Sequence, residues 1–137
     1  MKYFIPLLML CSSNCLADLN CNKPDSTIEI TQCLQQNNQK LIKQMQQYLD
    51  AALKKYQQDK PTLAAIKQSQ QAWAAYQKSQ CAAVYSIWRQ GTIRGIENLY
   101  CQKDMIVERS YQIWKQFLTD LTGQSPLLPD PRKMPQK

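Results

Sequence analysis

The chain has 137 residues, a net charge of +7 and no histidine, and 44% of its residues are hydrophobic. A chain of this length is expected to form one domain with a modest core. Without histidine it cannot carry a Ser-His-Asp or Cys-His catalytic arrangement, and it lacks the P-loop, dinucleotide and HExxH motifs. Enzymatic activity and a bound cofactor are therefore not expected.

The N-terminus has the pattern of a removable export signal. Lys2 supplies the positive charge, and residues 3–11 form an apolar stretch that is too short to span a bilayer. Residues 15–17 (Cys-Leu-Ala) place small side chains at the −3 and −1 positions of a peptidase site. We expect residues 1–17 to be a signal peptide cleaved after Ala17, and the mature protein to be periplasmic or secreted.

A lipoprotein is the alternative interpretation, because Cys11 and Cys15 both follow the apolar stretch. Acylated cysteines normally follow a small glycine or alanine. Leu10 and Asn14 stand at those positions here, so cleavage without acylation is favoured. No later segment is apolar enough to cross a membrane.

The first predicted helix begins at Ser26, which has the spacing of a capping box with Glu29. Apolar side chains then recur at helical intervals along a glutamine-rich segment. This stripe consists of Ile30, Leu34, Leu41, Met45, Tyr48, Ala52 and Tyr56. The helix is expected to break near residues 57–60, and Pro61 suits the first turn of the next helix.

The second predicted helix carries another stripe and ends before Gly91. The stripe consists of Leu63, Ile66, Gln70, Trp73, Gln77, Val84 and Trp88. Residues 89–98, which include Gly91 and Gly95, are predicted to form a shaped loop. Trp73, and Trp114 further along the chain, are expected in the core.

Four side chains near this loop are candidates for contact with a partner, namely Tyr85, Trp88, Arg89 and Arg94. Tyrosine, tryptophan and arginine dominate the hot spots of protein interfaces. The alternative is that the two aromatic side chains pack at the helix end and the two arginines stay solvated. Packing at the helix end is favoured for the two aromatic side chains, and the sequence does not separate the two interpretations of the arginines.

The third predicted helix spans about residues 99–122, and Gly123 is a natural stop. Its inward side chains are predicted to be Met105, Ile106, Ile113, Trp114, Phe117 and Leu121. Residues 124–137 contain four prolines beside lysine and arginine, so we expect an extended, flexible and largely unpacked tail. Residues 18–123 would then form an all-α bundle of about three helices in up-down-up order.

Removal of the signal leaves four cysteines: Cys21, Cys33, Cys81 and Cys101. An even number in a small exported chain indicates two disulfides. The alternative is a four-cysteine zinc site, but no pair has the close CxxC spacing of such sites. In an up-down-up bundle the cysteines lie near one end, and all three connectivities stay open.

The basic charge predicts attraction to anionic surfaces. Loss of Lys2 lowers the net charge from +7 to +6. The protein is therefore a candidate for binding anionic lipid, lipopolysaccharide or cell-wall polymer, although scattered lysines also simply keep helices soluble. Nucleic-acid binding is not expected, because no recognition motif accompanies the charge. Asp104 and Glu108, with Arg109 beside them, are predicted to form a salt-linked surface and no catalytic pair.

The sequence resembles the LprI-type lysozyme inhibitor family. The matching residues are Cys21, Glu29, Cys33, Gln70, Trp73, Tyr76, Cys81, Gly91, Cys101 and Arg109. The sequence departs from the family pattern in three places. Gln77-Lys78 replaces Arg-Asp, and Met45-Gln46 replaces Leu-Asn. In the loop, only Gly91 of the family's two glycines is kept.

This resemblance covers about residues 21–114 and implies a helical, disulfide-bonded envelope protein that inhibits a lysozyme. The proposed contact is the loop at residues 91–95. Common animal lysozymes are basic, so a basic inhibitor meets a like-charged partner, and local acidic residues would offset the repulsion. Asp104 and Glu108 lie on the predicted third helix, next to that loop in the chain.

Overall fold

Three long helices make up most of the protein. The computed structural model describes residues 21–119 and 126–134. The helices are α1 (Thr27–Lys55), α2 (Lys60–Ile87) and α3 (Arg94–Ile113). A π-helical turn (Trp114–Leu118) extends α3, and a 3₁₀ turn (Pro131–Lys133) lies in the C-terminal segment. The described part contains no strand, so the prediction of an all-α bundle is confirmed.

The helices pack in the predicted up-down-up order, with α3 against both α1 and α2. Two contacts between α2 and α3 show that these helices are antiparallel. Arg109 Nε donates to Gln70 Oε1 (3.0 Å), and Gln77 Nε2 donates to the carbonyl oxygen of Gln102 (3.5 Å). The residue that lies later on α2 therefore contacts the residue that lies earlier on α3.

Local signals place the starts of α1 and α2 as predicted. Ser26 Oγ accepts from the backbone N–H of Glu29 (3.2 Å), and Glu29 Oε2 accepts from the backbone N–H of Asp25 (2.7 Å). Asp59 caps α2 by accepting from the N–H of Thr62 (3.1 Å). Each cap satisfies backbone donors that have no partner inside the helix.

The core lies where α1 meets α3 and the first half of α2. Its buried members are Leu41, Met45, Tyr48, Leu49, Ala52, Ile66, Ile106, Ile113 and Leu118. Trp73 and Trp114 are only half-buried and pack against this cluster. Trp88, which continues the predicted α2 stripe, is instead 43% exposed because that end of α2 extends beyond the core.

The predicted boundaries of α3 are wrong at both ends. The helix begins at Arg94 and not near residue 99, because Glu97 N–H already donates to the carbonyl oxygen of Ile93 (3.0 Å). The predicted loop therefore shrinks to a short turn between Ile87 and Arg94. At the other end the backbone is extended at Thr119 (φ −91°, ψ 158°). The predicted positions of Leu121 and Gly123 lie outside the described residues.

The prediction of an unpacked tail is also wrong for residues 126–134. Tyr48 Oη donates to the carbonyl oxygen of Pro129, and Trp114 Nε1 donates to that of Leu128, both at 2.8 Å. Most of the segment is non-helical, but it lies against α1 and α3. Tyr48 is buried and Trp114 is half-buried, so their polar hydrogens need acceptors within the protein, and the tail carbonyls provide them.

Candidate functional site

Two disulfides hold the end of the bundle where α2 turns into α3. Cys21 is bonded to Cys33, and Cys81 is bonded to Cys101, with Cα–Cα distances of 5.5 and 5.6 Å. The first bond ties the N-terminal lead to α1, and the second ties α2 to α3. This pairing selects one of the three open connectivities. Cysteines bonded in this way cannot serve as zinc thiolates, so the zinc alternative is wrong.

A group of large apolar side chains lies exposed around the turn between α2 and α3. Tyr85, Ile87, Trp88 and Ile93 have exposed fractions of 39%, 74%, 43% and 37%. We call these four residues the turn patch. Large apolar side chains that stay exposed beside a turn are candidates for contact with a partner, and aromatic side chains contribute strongly to binding energy.

The two arginines beside the turn patch are partly used within the protein. The guanidinium of Arg94 lies 5.4 Å from the centre of the Tyr85 ring, and its Nη1 donates to the carbonyl oxygen of Arg89 (3.2 Å). Arg89 Nη1 lies 3.5 Å from the carbonyl oxygen of Ser86. Both side chains remain exposed, and their predicted contact with a partner stays a prediction.

Arg109 has a different environment from the predicted salt-linked surface. Its side chain is buried, with Nε donating to Gln70 Oε1 (3.0 Å) and Nη2 to Ser69 Oγ (2.9 Å). The guanidinium lies 5.9 Å from the centre of the Trp73 ring, and desolvation lowers the pKa of Arg109. Arg109 thus fastens α3 to α2. Within residues 21–119 and 126–134 the only ion pair joins Arg132 to Asp130.

Replacing Arg109 with methionine is expected to lower the free energy of unfolding by about 2 kcal/mol, because Gln70 and Ser69 lose a charged donor inside the α2–α3 contact. Urea denaturation would measure the change. Arg89→Met is the matched control, since Arg89 is exposed and makes a single long contact. Equal stability of the two variants would show that the buried guanidinium does not fasten these helices.

A groove of about 570 Å³ runs between α2 and α3 beside this contact. We call it the α2–α3 groove. It is lined from α2 by Trp73, Tyr76 and Gln80, and from α3 by Asp104, Glu108 and Arg109, among others. Four of the matched family residues therefore line one groove, namely Trp73, Tyr76, Cys101 and Arg109. Glu29 lies apart from them as a cap of α1, and Gly91 lies in the turn.

Ile87 and Ile93 join the turn patch, although the sequence did not single them out. The structure also places Asp104 and Glu108 on the same groove as Tyr76. Helical spacing offered one signal, because residues separated by 4 and 11 positions share a helix face. Tyr76, Gln80 and Ile87 have that spacing.

The basic side chains predicted to attract anionic surfaces are spread along the helices. Those that are exposed include Lys40, Lys43, Lys54, Lys55, Lys60, Lys67 and Lys78. Binding of anionic lipid or cell-wall polymer stays a prediction. None of the described helices is long and apolar enough to cross a membrane.

Comparison with known proteins identifies the family. The sequence model of the family described as "Lysozyme inhibitor LprI" matches residues 11–113, which is about three quarters of the chain. No curated protein and no solved structure matches the chain. The matched region contains both disulfides, the turn patch and the α2–α3 groove. The chain belongs to the LprI lysozyme inhibitor family.

Proposed function

We propose that this protein is an exported, non-catalytic inhibitor of a lysozyme that acts in the periplasm or after secretion. Membership of the LprI family supports the activity. The two disulfides support the location, because such bonds form and persist in oxidising compartments outside the cytoplasm. The pattern of an export signal at residues 1–17 agrees with this location.

The turn patch is the proposed contact with the lysozyme, because its large apolar side chains are exposed and can be covered by a partner. Its two aromatic side chains, Tyr85 and Trp88, are each about two fifths exposed. The Cys81–Cys101 bond lies close by and restrains both helices that flank the turn. A surface that is already held in its binding conformation loses less entropy on association, which favours tight binding.

The double change Tyr85→Ala and Trp88→Ala is expected to weaken inhibition at least tenfold. Truncating an aromatic hot spot typically costs about 2 kcal/mol or more, and every 1.4 kcal/mol is a factor of ten in affinity. The measurement is the turbidity loss of a bacterial cell-wall suspension, using protein purified after export with its disulfides formed. Folding of each variant is checked by thermal unfolding.

Tyr100→Ala is the matched control, because Tyr100 is 42% exposed but lines a different cavity beside the Cys21–Cys33 bond. It is expected to inhibit like the unchanged protein. Undiminished inhibition by the double variant would remove the turn patch from the contact. If the unchanged protein fails against lysozymes of several classes, the proposed function itself is rejected.

A further inference from the structure

We infer that the α2–α3 groove receives a lysine or arginine side chain of the lysozyme, so that the inhibitor recognises a basic surface. This inference rests on the proposed function and adds the chemistry of the partner to it. The groove offers two exposed carboxylates on one wall and an exposed aromatic ring on the other.

The carboxylates are available to an incoming cation. Asp104 and Glu108 are both exposed, and neither forms an ion pair with any residue in the described part of the chain. Glu108 Oε1 has one long contact, 3.4 Å from Gln112 Nε2. Being four residues apart on α3, the two carboxylates lie on the same face of the helix and border the same groove.

The opposite wall also suits a cation. Tyr76 is 59% exposed, and Trp73 lies one helical turn before it on α2. The face of an aromatic ring attracts an ammonium or guanidinium group placed within about 6 Å of its centre. Trp73 already has such an arrangement with Arg109, at 5.9 Å. The exposed ring of Tyr76 gives a basic side chain of the partner a second aromatic surface.

Arg109 cancels only one of the two negative charges of the groove. Its guanidinium is buried, and it donates to Gln70 and Ser69 at the α2–α3 contact. With Asp104 and Glu108 exposed, the charged groups of the lining sum to one negative charge. This is a local reversal of sign on a chain whose net charge is +7. A basic lysozyme is repelled by the rest of the surface, so the groove also orients its approach.

The groove lies on the same face of α2 as one member of the turn patch. Tyr76, Gln80 and Ile87 lie on one face of α2, and Ile87 belongs to the patch. Cys101 lines the groove, and its bond to Cys81 lies between the two surfaces. One partner can therefore contact Ile87 and place a cation in the groove at the same time.

The test replaces both carboxylates with their neutral isosteres, Asp104→Asn and Glu108→Gln. With hen-type basic lysozyme at low salt, the dissociation constant is expected to rise about tenfold, since exposed ion pairs contribute modestly one by one. The difference from the unchanged protein should shrink as salt is raised, because exposed charges are screened. The control is Asp25→Asn with Asp50→Asn, which changes the net charge equally but at exposed sites before and within α1.

The outcomes separate this inference from the proposed function. Weaker binding by the groove variant alone supports it. If the groove and control variants weaken binding equally, the effect is one of general charge and the groove inference is overturned. The proposed function still holds in that case, provided that the unchanged protein inhibits the lysozyme. Dimerisation of the inhibitor alone in light scattering, abolished by the groove variant, assigns the groove to a second copy and overturns the inference. If the unchanged protein binds no lysozyme, both statements are wrong.

Discussion

Deletion of residues 126–137 is expected to lower the free energy of unfolding by about 3–5 kcal/mol, although these residues lie beyond the matched family region. Tyr48 and Trp114 would lose the carbonyl acceptors of Pro129 and Leu128. The apolar surface under the segment would also become exposed, since Pro131 is buried and Leu128 packs against the core.

The phenol of Tyr48 illustrates how the tail is held. Burial, and then the negative charge of Asp130, raise the pKa of Tyr48 above its usual value. The phenol therefore stays protonated and keeps donating to the Pro129 carbonyl oxygen. The guanidinium of Arg132 lies 3.3 Å from the centre of the Tyr111 ring, which adds a contact to α3.

Two neighbouring leucines provide the control for this prediction. Leu127 is 62% exposed, whereas Leu128 packs against the core. Leu128→Ala is expected to lower the free energy of unfolding by about 1–2 kcal/mol, and Leu127→Ala to leave it nearly unchanged. Urea denaturation of both variants and of the truncated protein would measure these values. Unchanged stability after truncation would contradict the packing of the tail.

Replacing Cys81 and Cys101 together with alanine is expected to lower the free energy of unfolding by about 3–4 kcal/mol and to abolish most of the inhibition. The bond closes a separation of 20 residues, and the chain-entropy model gives about 3 kcal/mol for such a loop. Alanine is preferable to serine, because Cys81 is only 2% exposed and a buried hydroxyl would add its own penalty.

The other disulfide separates the functional effect from general destabilisation. Replacing Cys21 and Cys33 with alanine also removes a bond, over 12 residues, and should cost about 2–3 kcal/mol. It leaves the turn between α2 and α3 closed. At a temperature where both variants are folded, only the Cys81 and Cys101 variant should lose inhibition of cell-wall lysis. Loss in both, or in neither, would mean that the restrained turn is not what inhibits.

The resemblance to the family singled out Gln70, Trp73 and Arg109 but did not say what each one does. Gln70, Trp73 and Arg109 come from two helices, and the structure shows that they form one contact that fastens α2 to α3. The adjacency of Arg109 to Glu108 in the chain favoured a surface salt link. A helix turns about 100° per residue, so neighbours in the chain face different sides, and Arg109 points inward.

The features that the sequence determined by itself are those set by neighbours along the chain. The capping residues Ser26 and Asp59 and the periodic apolar stripes depend on interactions within a few residues, and they placed α1 and α2. An even cysteine number likewise predicted two disulfides. Which cysteines pair, where the tail packs and which way Arg109 faces were decided only by the tertiary structure. Each of those depends on groups 12 to 81 residues apart in the chain, whose distances no local pattern sets.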